Sequence, residues 1–142
     1  MTLVLDASVL VAALVDNSPH GLWAESVIES HSLIAPDLLL IEVLNGLRRL
    51  ERSGRISRLE ANVAQRDATR LAVELVPISP FADRIWELRH NLTSHDAAYV
   101  AIAEALGVPV ATLDARLVSV KNANGDVRCC LLYTSPSPRD MI

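Results

Sequence analysis

Short apolar runs alternate with longer stretches of helical spacing along this chain, and each short run is closed by an acid or a proline. Thr2 to Leu5 stops at Asp6, Leu33 to Ala35 at Pro36, Val73 to Val76 at Pro77, and Val110 to Leu113 at Asp114. Runs this short, bounded by turn-forming residues, read as buried strands. Between them lie the helical patterns. Val9 to Val15 is a small-residue apolar stretch, and Leu22 to Glu29 spaces Trp23, Val27 and Ile28 along one face. A helix is expected from about Asp37 to Ser53, with Gly54 as its stop. Ser57 followed by Glu60 is a capping box that opens the next helix. Phe81 to His90, carrying Trp86, reads as one helix, and the alanine-rich Ala97 to Leu106, ended by Gly107-Val-Pro109, as another.

Strands alternating with helices, without a hairpin signal, favour an α/β fold whose parallel sheet is covered on both faces. Ligands of such sheets gather outside the carboxyl ends of the strands. Asp6 and Asp114 fall at two such ends, Asp96 at the start of a helix, and Glu42 inside one. Brought together, four carboxylates would repel one another and take up protons unless a cation offset their charge. Oxygen donors of this kind suit magnesium, with manganese as the alternative.

Each acid also has an ordinary explanation. Asp6 and Asp114 stand where a side chain caps a helix. Asp96 follows Thr93 by three residues, in a first turn where the helix dipole favours negative charge. Glu42 shares a polar stripe with Asn45, Arg49 and Arg52. Capping alone does not require acids at strand ends from both halves of the chain, so the conjunction carries the metal-site reading. Ser8 and Thr112 place hydroxyls beside Asp6 and Asp114, suited to orienting a carboxylate. The four histidines lack zinc-ligand spacing, and His20, His31 and His90 are expected at the surface or in packing. Trp23 and Trp86 are expected in the core.

Length bounds the chain to one domain, with 142 residues enough to bury roughly two-thirds of the unfolded surface. Apolar residues make up 51%, yet no run reaches the roughly 18 residues of a membrane span. Asp6 and Ser8 interrupt the apolar N-terminus, which lacks a basic lead, so a soluble, cytoplasmic protein is expected. Adjacent Cys129 and Cys130 imply reduced thiols rather than a disulfide framework. A net charge of -4 argues against a protein that coats nucleic acid by bulk attraction. It leaves room for a local basic groove, and Arg48, Arg49, Arg52, Arg55, Arg58, Arg66 and Arg70 concentrate in one region. They form either a solvated face paired with Glu51 and Glu60 or a surface for phosphate or a partner.

Four segments together, Val4-Leu-Asp-Ala-Ser-Val-Leu10, Ala35-Pro-Asp-Leu-Leu-Leu-Ile-Glu-Val-Leu-Asn45, the stretch from Leu88 to Ala101 containing Ser94-His-Asp-Ala-Ala98, and Thr112-Leu-Asp-Ala-Arg-Leu117, resemble the PIN-domain ribonucleases. The likeness is closest to VapC toxins of toxin-antitoxin systems and runs in order from Leu3 to about Arg128. It implies a three-layer α/β/α fold around a parallel sheet of four to five strands. It also implies a metal-dependent endoribonuclease, with Asp6 and Asp96 as principal metal ligands and Glu42 and Asp114 completing the quartet. Ser8 and Thr112 match the accompanying hydroxyl positions. One or two magnesium ions would activate water for in-line attack on a phosphodiester, leaving 5′-phosphate and 3′-hydroxyl ends. Arg48, Arg49, Arg52 and Arg89 would position the RNA backbone. A homodimer and a cognate antitoxin that occludes the acidic site are further family expectations.

Residues 1–128 are thus read as the nuclease domain and 129–142 as an atypical tail. Cys129 to Tyr133 can form a last edge strand, whereas Thr134 to Asp140 has no element to join and reads as disordered or as an assembly scar. Two rivals remain: a catalytically inactive binding module of the same fold, and a phosphoacceptor receiver domain. The receiver would need a lysine near its last strand, for which only Lys121 is available.

Overall fold

A computed structural model of the chain describes residues 1–118 and 130–132. Five parallel strands, β1 (Thr2–Leu5), β2 (Ser32–Pro36), β3 (Glu74–Val76), β4 (Val110–Thr112) and β5 (Cys130–Leu132), form one sheet in the order β3-β2-β1-β4-β5. The pairings set Val4 opposite Ile34 on one side and opposite Val110 on the other. Three residues of β1 and the last four of β2 are buried, as expected of strands covered on both faces.

From β1 the chain moves outward through α1 (Ala7–Val15) and α2 (Pro19–Ser30) to β2, then through α3 (Leu39–Arg52) and α4 (Arg58–Arg70) to β3. It returns through α5 (Ala82–Glu87) and α6 (Ser94–Leu106) to β4, on the opposite side of β1. Right-handed crossovers travelling in opposite directions place their helices on opposite faces, which gives the expected α/β/α layers. The reversal makes β1 and β4 the switch point, the position where such sheets open a crevice at their carboxyl ends. A short helix, α7 (Ala115–Val118), follows β4.

Local chemistry explains the boundaries. Ser18 caps α2 with Pro19 at its start, and both halves of the Ser57–Glu60 capping box are formed at α4. Thr93 caps α6, and Gly107 ends it in the left-handed conformation at φ 67°. Ala97 to Ala103 of α6 is buried on all sides, so its small side chains let the helix lie directly against the sheet. Gly21 is needed where α1 meets α2, because a Cβ there would stand 1.7 Å from the Asp16 carbonyl oxygen.

Two expectations change. The helix read over Phe81 to His90 is split into α5 flanked by 3-10 turns at Ser79–Phe81 and Leu88–His90, with no side-chain cap to hold a continuous α-helix. Trp86 is 65% exposed rather than in the core, and the Arg89 guanidinium lies 4.3 Å above its ring. Trp23, in contrast, packs against the core. Cys130–Leu132 pairs in register with β4, within the segment read as a last edge strand. Cys129 and residues 133–142, on which the tail and part of the thiol readings fall, lie outside the described residues. Among the described residues no helix is long and apolar enough to cross a membrane.

Candidate active site

Asp6 follows β1 at the carboxyl end of the sheet and is 5% exposed. It does not cap α1, although it occupies the cap position. Instead the Ser8 and Thr112 hydroxyls both donate to its Oδ2, at 2.6 and 2.9 Å. Each hydroxyl oxygen in turn accepts a backbone N–H, Ser8 Oγ from Leu113 at 3.0 Å and Thr112 Oγ1 from Asp114 at 2.9 Å. These four bonds tie the ends of β1 and β4 together across the switch point. Ser8 and Thr112 thus both hold one carboxylate oxygen of Asp6.

Asp6, Glu42, Asp96 and Asp114 line a single cleft of about 400 Å³, together with Ser8, Val11, Gly46, Arg49 and Arg116. Glu42 enters from the first turn of α3, and the Tyr99 hydroxyl on α6 donates to its Oε1 at 2.6 Å. Asp96 sits in the first turn of α6, where its backbone N–H is capped by Thr93 Oγ1 at 3.2 Å. Asp114 does serve as the local cap considered for it, accepting from the Arg116 backbone N–H at 3.0 Å. It also binds the Arg116 guanidinium, whose Nη2 stands 2.7 Å from Oδ2.

The electrostatics follow from this crowding. Burial raises the Asp6 carboxyl above the usual aspartate range; the two hydroxyls pull against that rise, and the charges of Asp96 and Asp114 add to it. Glu42 is raised in the same way, chiefly by burial, with Tyr99 opposing and Asp6 and Asp96 reinforcing. Asp114 is lowered, because Arg116 hydrogen-bonds to its charged form. Burial and the neighbouring Glu42 keep the Tyr99 phenol protonated.

The donor set, carboxylate oxygens without thiolate or imidazole, fits a hard divalent cation. The side chains are not arranged as a ready-made cage: no three of the His, Cys, Asp and Glu groups among the described residues converge on one point. Tyr99 and Arg116 hold Glu42 and Asp114 on their own hydrogen bonds.

A family model described as the PIN domain matches residues 3–123. The chain belongs to the PIN-domain family. This PIN domain is 39% identical over 115 residues to "VapC ribonuclease Mb0985" of Mycobacterium bovis, covering 81% of this chain and 87% of that protein. It is 38% identical over 117 residues to "Ribonuclease VapC1" of Mycobacterium tuberculosis, at 82% and 88% coverage. The PIN domain's fold is shared with the crystal structure of PAE2754 from Pyrobaculum aerophilum, with a TM-score of 0.64, 23% identity, and 84% and 78% of the two chains covered. It is shared also with a toxin-antitoxin complex from Klebsiella pneumoniae, with a TM-score of 0.57, 18% identity, and 93% and 96% covered. A phosphoacceptor receiver is not favoured by any of these likenesses.

Of the arginines proposed for RNA, only Arg49 lines the cleft. Arg48 and Arg52 are exposed on α3, and Arg89 is engaged with Trp86, whose carbonyl it also meets at 2.8 Å. Among the described residues no ion pair joins the α3–α4 arginines to Glu51 or Glu60, and Glu60 serves its capping box instead. Sequence reasoning missed Arg116, which lines the cleft, and Tyr99, which is buried and bonded to Glu42. Arg116 follows Asp114 by two positions, a spacing at which an arginine fork can return to a carboxylate. Tyr99 lies 57 residues from Glu42, and no local pattern joins them.

Proposed function

We propose that this chain is a metal-dependent endoribonuclease that acts as the toxin of a toxin-antitoxin pair. The observation that carries the reading is the convergence of Asp6, Glu42, Asp96 and Asp114 on one cleft at the sheet's switch point. The ribonuclease names of relatives nearly 40% identical, aligned over most of both chains, support the reaction class.

Asp6 and Asp96 are the principal ligands for Mg²⁺, or Mn²⁺ in its place, and Glu42 and Asp114 complete the set. When bound, the cation supplies the Lewis acidity and positive charge that phosphodiester hydrolysis requires, and offsets the repulsion among the acids. The chain's own residues prepare that site. Ser8 and Thr112 fix Asp6 by donating to one oxygen, so its carboxylate cannot rotate freely. Tyr99 fixes Glu42 similarly. Arg49, on the rim, offers a planar cation to the RNA backbone, which sets register without reading sequence. Arg48, Arg52 and Arg89 are weaker candidates for the same role, lying outside the cleft.

The protein partners are a cognate antitoxin, whose basic side chain can reach the carboxylates, and a second copy of the chain. A solved complex of the same fold, described as a toxin-antitoxin complex, supports the first. Analysis of product ends tests the reaction class. Hydrolysis by activated water leaves 5′-phosphate and 3′-hydroxyl termini, whereas 2′,3′-cyclic phosphate ends would contradict it.

A further inference from the structure

The Arg116 guanidinium lies against two of the four acids. Its Nε stands 3.1 and 3.2 Å from the two oxygens of Asp114, and Nη2 lies 2.7 Å from Asp114 Oδ2 and 3.9 Å from Asp96 Oδ2. The arginine side chain is 71% exposed, while Asp114 and Asp96 are only 22% and 16% exposed. A largely solvated cation thus rests on two much less exposed anions. A divalent cation seeking Asp96 and Asp114 meets a positive charge already there, bonded to both oxygens of one ligand.

We propose that Arg116 is a built-in counter-ion that competes with the divalent metal for Asp114 and Asp96, and so sets the metal concentration at which the site loads. This rests on the reading of those two acids as metal ligands. Competition has a physical basis: the fork neutralises Asp114 and, at longer range, Asp96, so its removal leaves uncompensated negative charge that favours a cation. Because the arginine is mostly in water, the effect is modest and salt-sensitive.

The test is Mn²⁺ binding at fixed ionic strength, read from the electron paramagnetic resonance signal of free Mn²⁺. The proteins compared are the full chain, Arg116→Ala, Arg116→Lys and Asp96→Asn. Arg116→Ala should tighten Mn²⁺ binding about two- to fivefold, the range expected for losing an exposed ion pair, with Arg116→Lys in between. An arginine that only braces Asp114 as the cap of the short helix would lower thermal stability when removed, without tightening metal binding. Unchanged or weaker Mn²⁺ binding by Arg116→Ala, while Asp96→Asn abolishes it, overturns the counter-ion role and leaves the metal site standing. Binding that Asp96→Asn leaves intact overturns the ligand reading and this proposal with it.

Discussion

The phenol oxygen of Tyr99 stands 2.6 Å from Oε1 of Glu42 and joins the helix before β4 to the helix after β2. Tyr99 is wholly buried, so its hydroxyl has little choice of partner. Tyr99→Phe keeps the ring and deletes only this bond. The expected cost is about 1–2 kcal/mol of stability, measured by urea unfolding. RNA cleavage should fall as well, because Glu42 loses the contact that holds it in the cleft.

Asp6→Asn should have opposite effects on stability and activity. Burial raises the Asp6 carboxyl above its ordinary 3.8, so the folded chain binds that proton more tightly than the unfolded chain. The stability this contributes is fully present below the unfolded value and is lost as pH rises through the folded one. In chelator at pH 7 the asparagine variant should therefore be more stable than the parent, and the gap should close as pH falls toward 4. Mg²⁺ should stabilise the parent and leave the variant unchanged. Paired unfolding curves at several pH values check both statements.

Arg49 and Arg48 are adjacent in sequence but only Arg49 lines the cleft. Arg49→Ala should weaken RNA binding and reduce the slope of log affinity against log salt by about 0.7, the value for one phosphate contact on single strands. Arg48→Ala should change both less than Arg49→Ala does. Filter binding across a salt series distinguishes the two.

Arg84 grips Glu104 through two bonds, Nε to Oε2 at 2.8 Å and Nη2 to Oε1 at 3.0 Å, and so clamps α5 to α6. Arg84→Gln should cost about 1 kcal/mol, because the pair is partly exposed. Cleavage per folded molecule should be unchanged, since neither residue lines the cleft.

Much of this fold was legible because its signals are local. Asp6, Pro36 and Asp114 punctuate the strands where the backbone leaves the sheet, and Ser57 with Glu60 announces a helix that forms with both capping bonds. The four acids could be selected from sequence because each stands next to an apolar element. Tyr99 could not, since its polarity matters only once α6 is packed beside α3. Trp86 was misplaced because helical spacing assigns a face only to a helix long enough to have one, and α5 has 6 residues. Arg89 provides the flat cation that covers part of its ring instead.

Cleavage of labelled total RNA by purified protein, with Mg²⁺ or with chelator, tests the four-acid metal site most directly. The Asp6→Asn, Asp96→Asn double variant, prepared identically, controls for contaminating nuclease. The expected result is cutting that requires the cation and disappears in the variant. Cutting that persists in chelator or in the double variant, or none from folded, antitoxin-free protein with Mg²⁺, would contradict it.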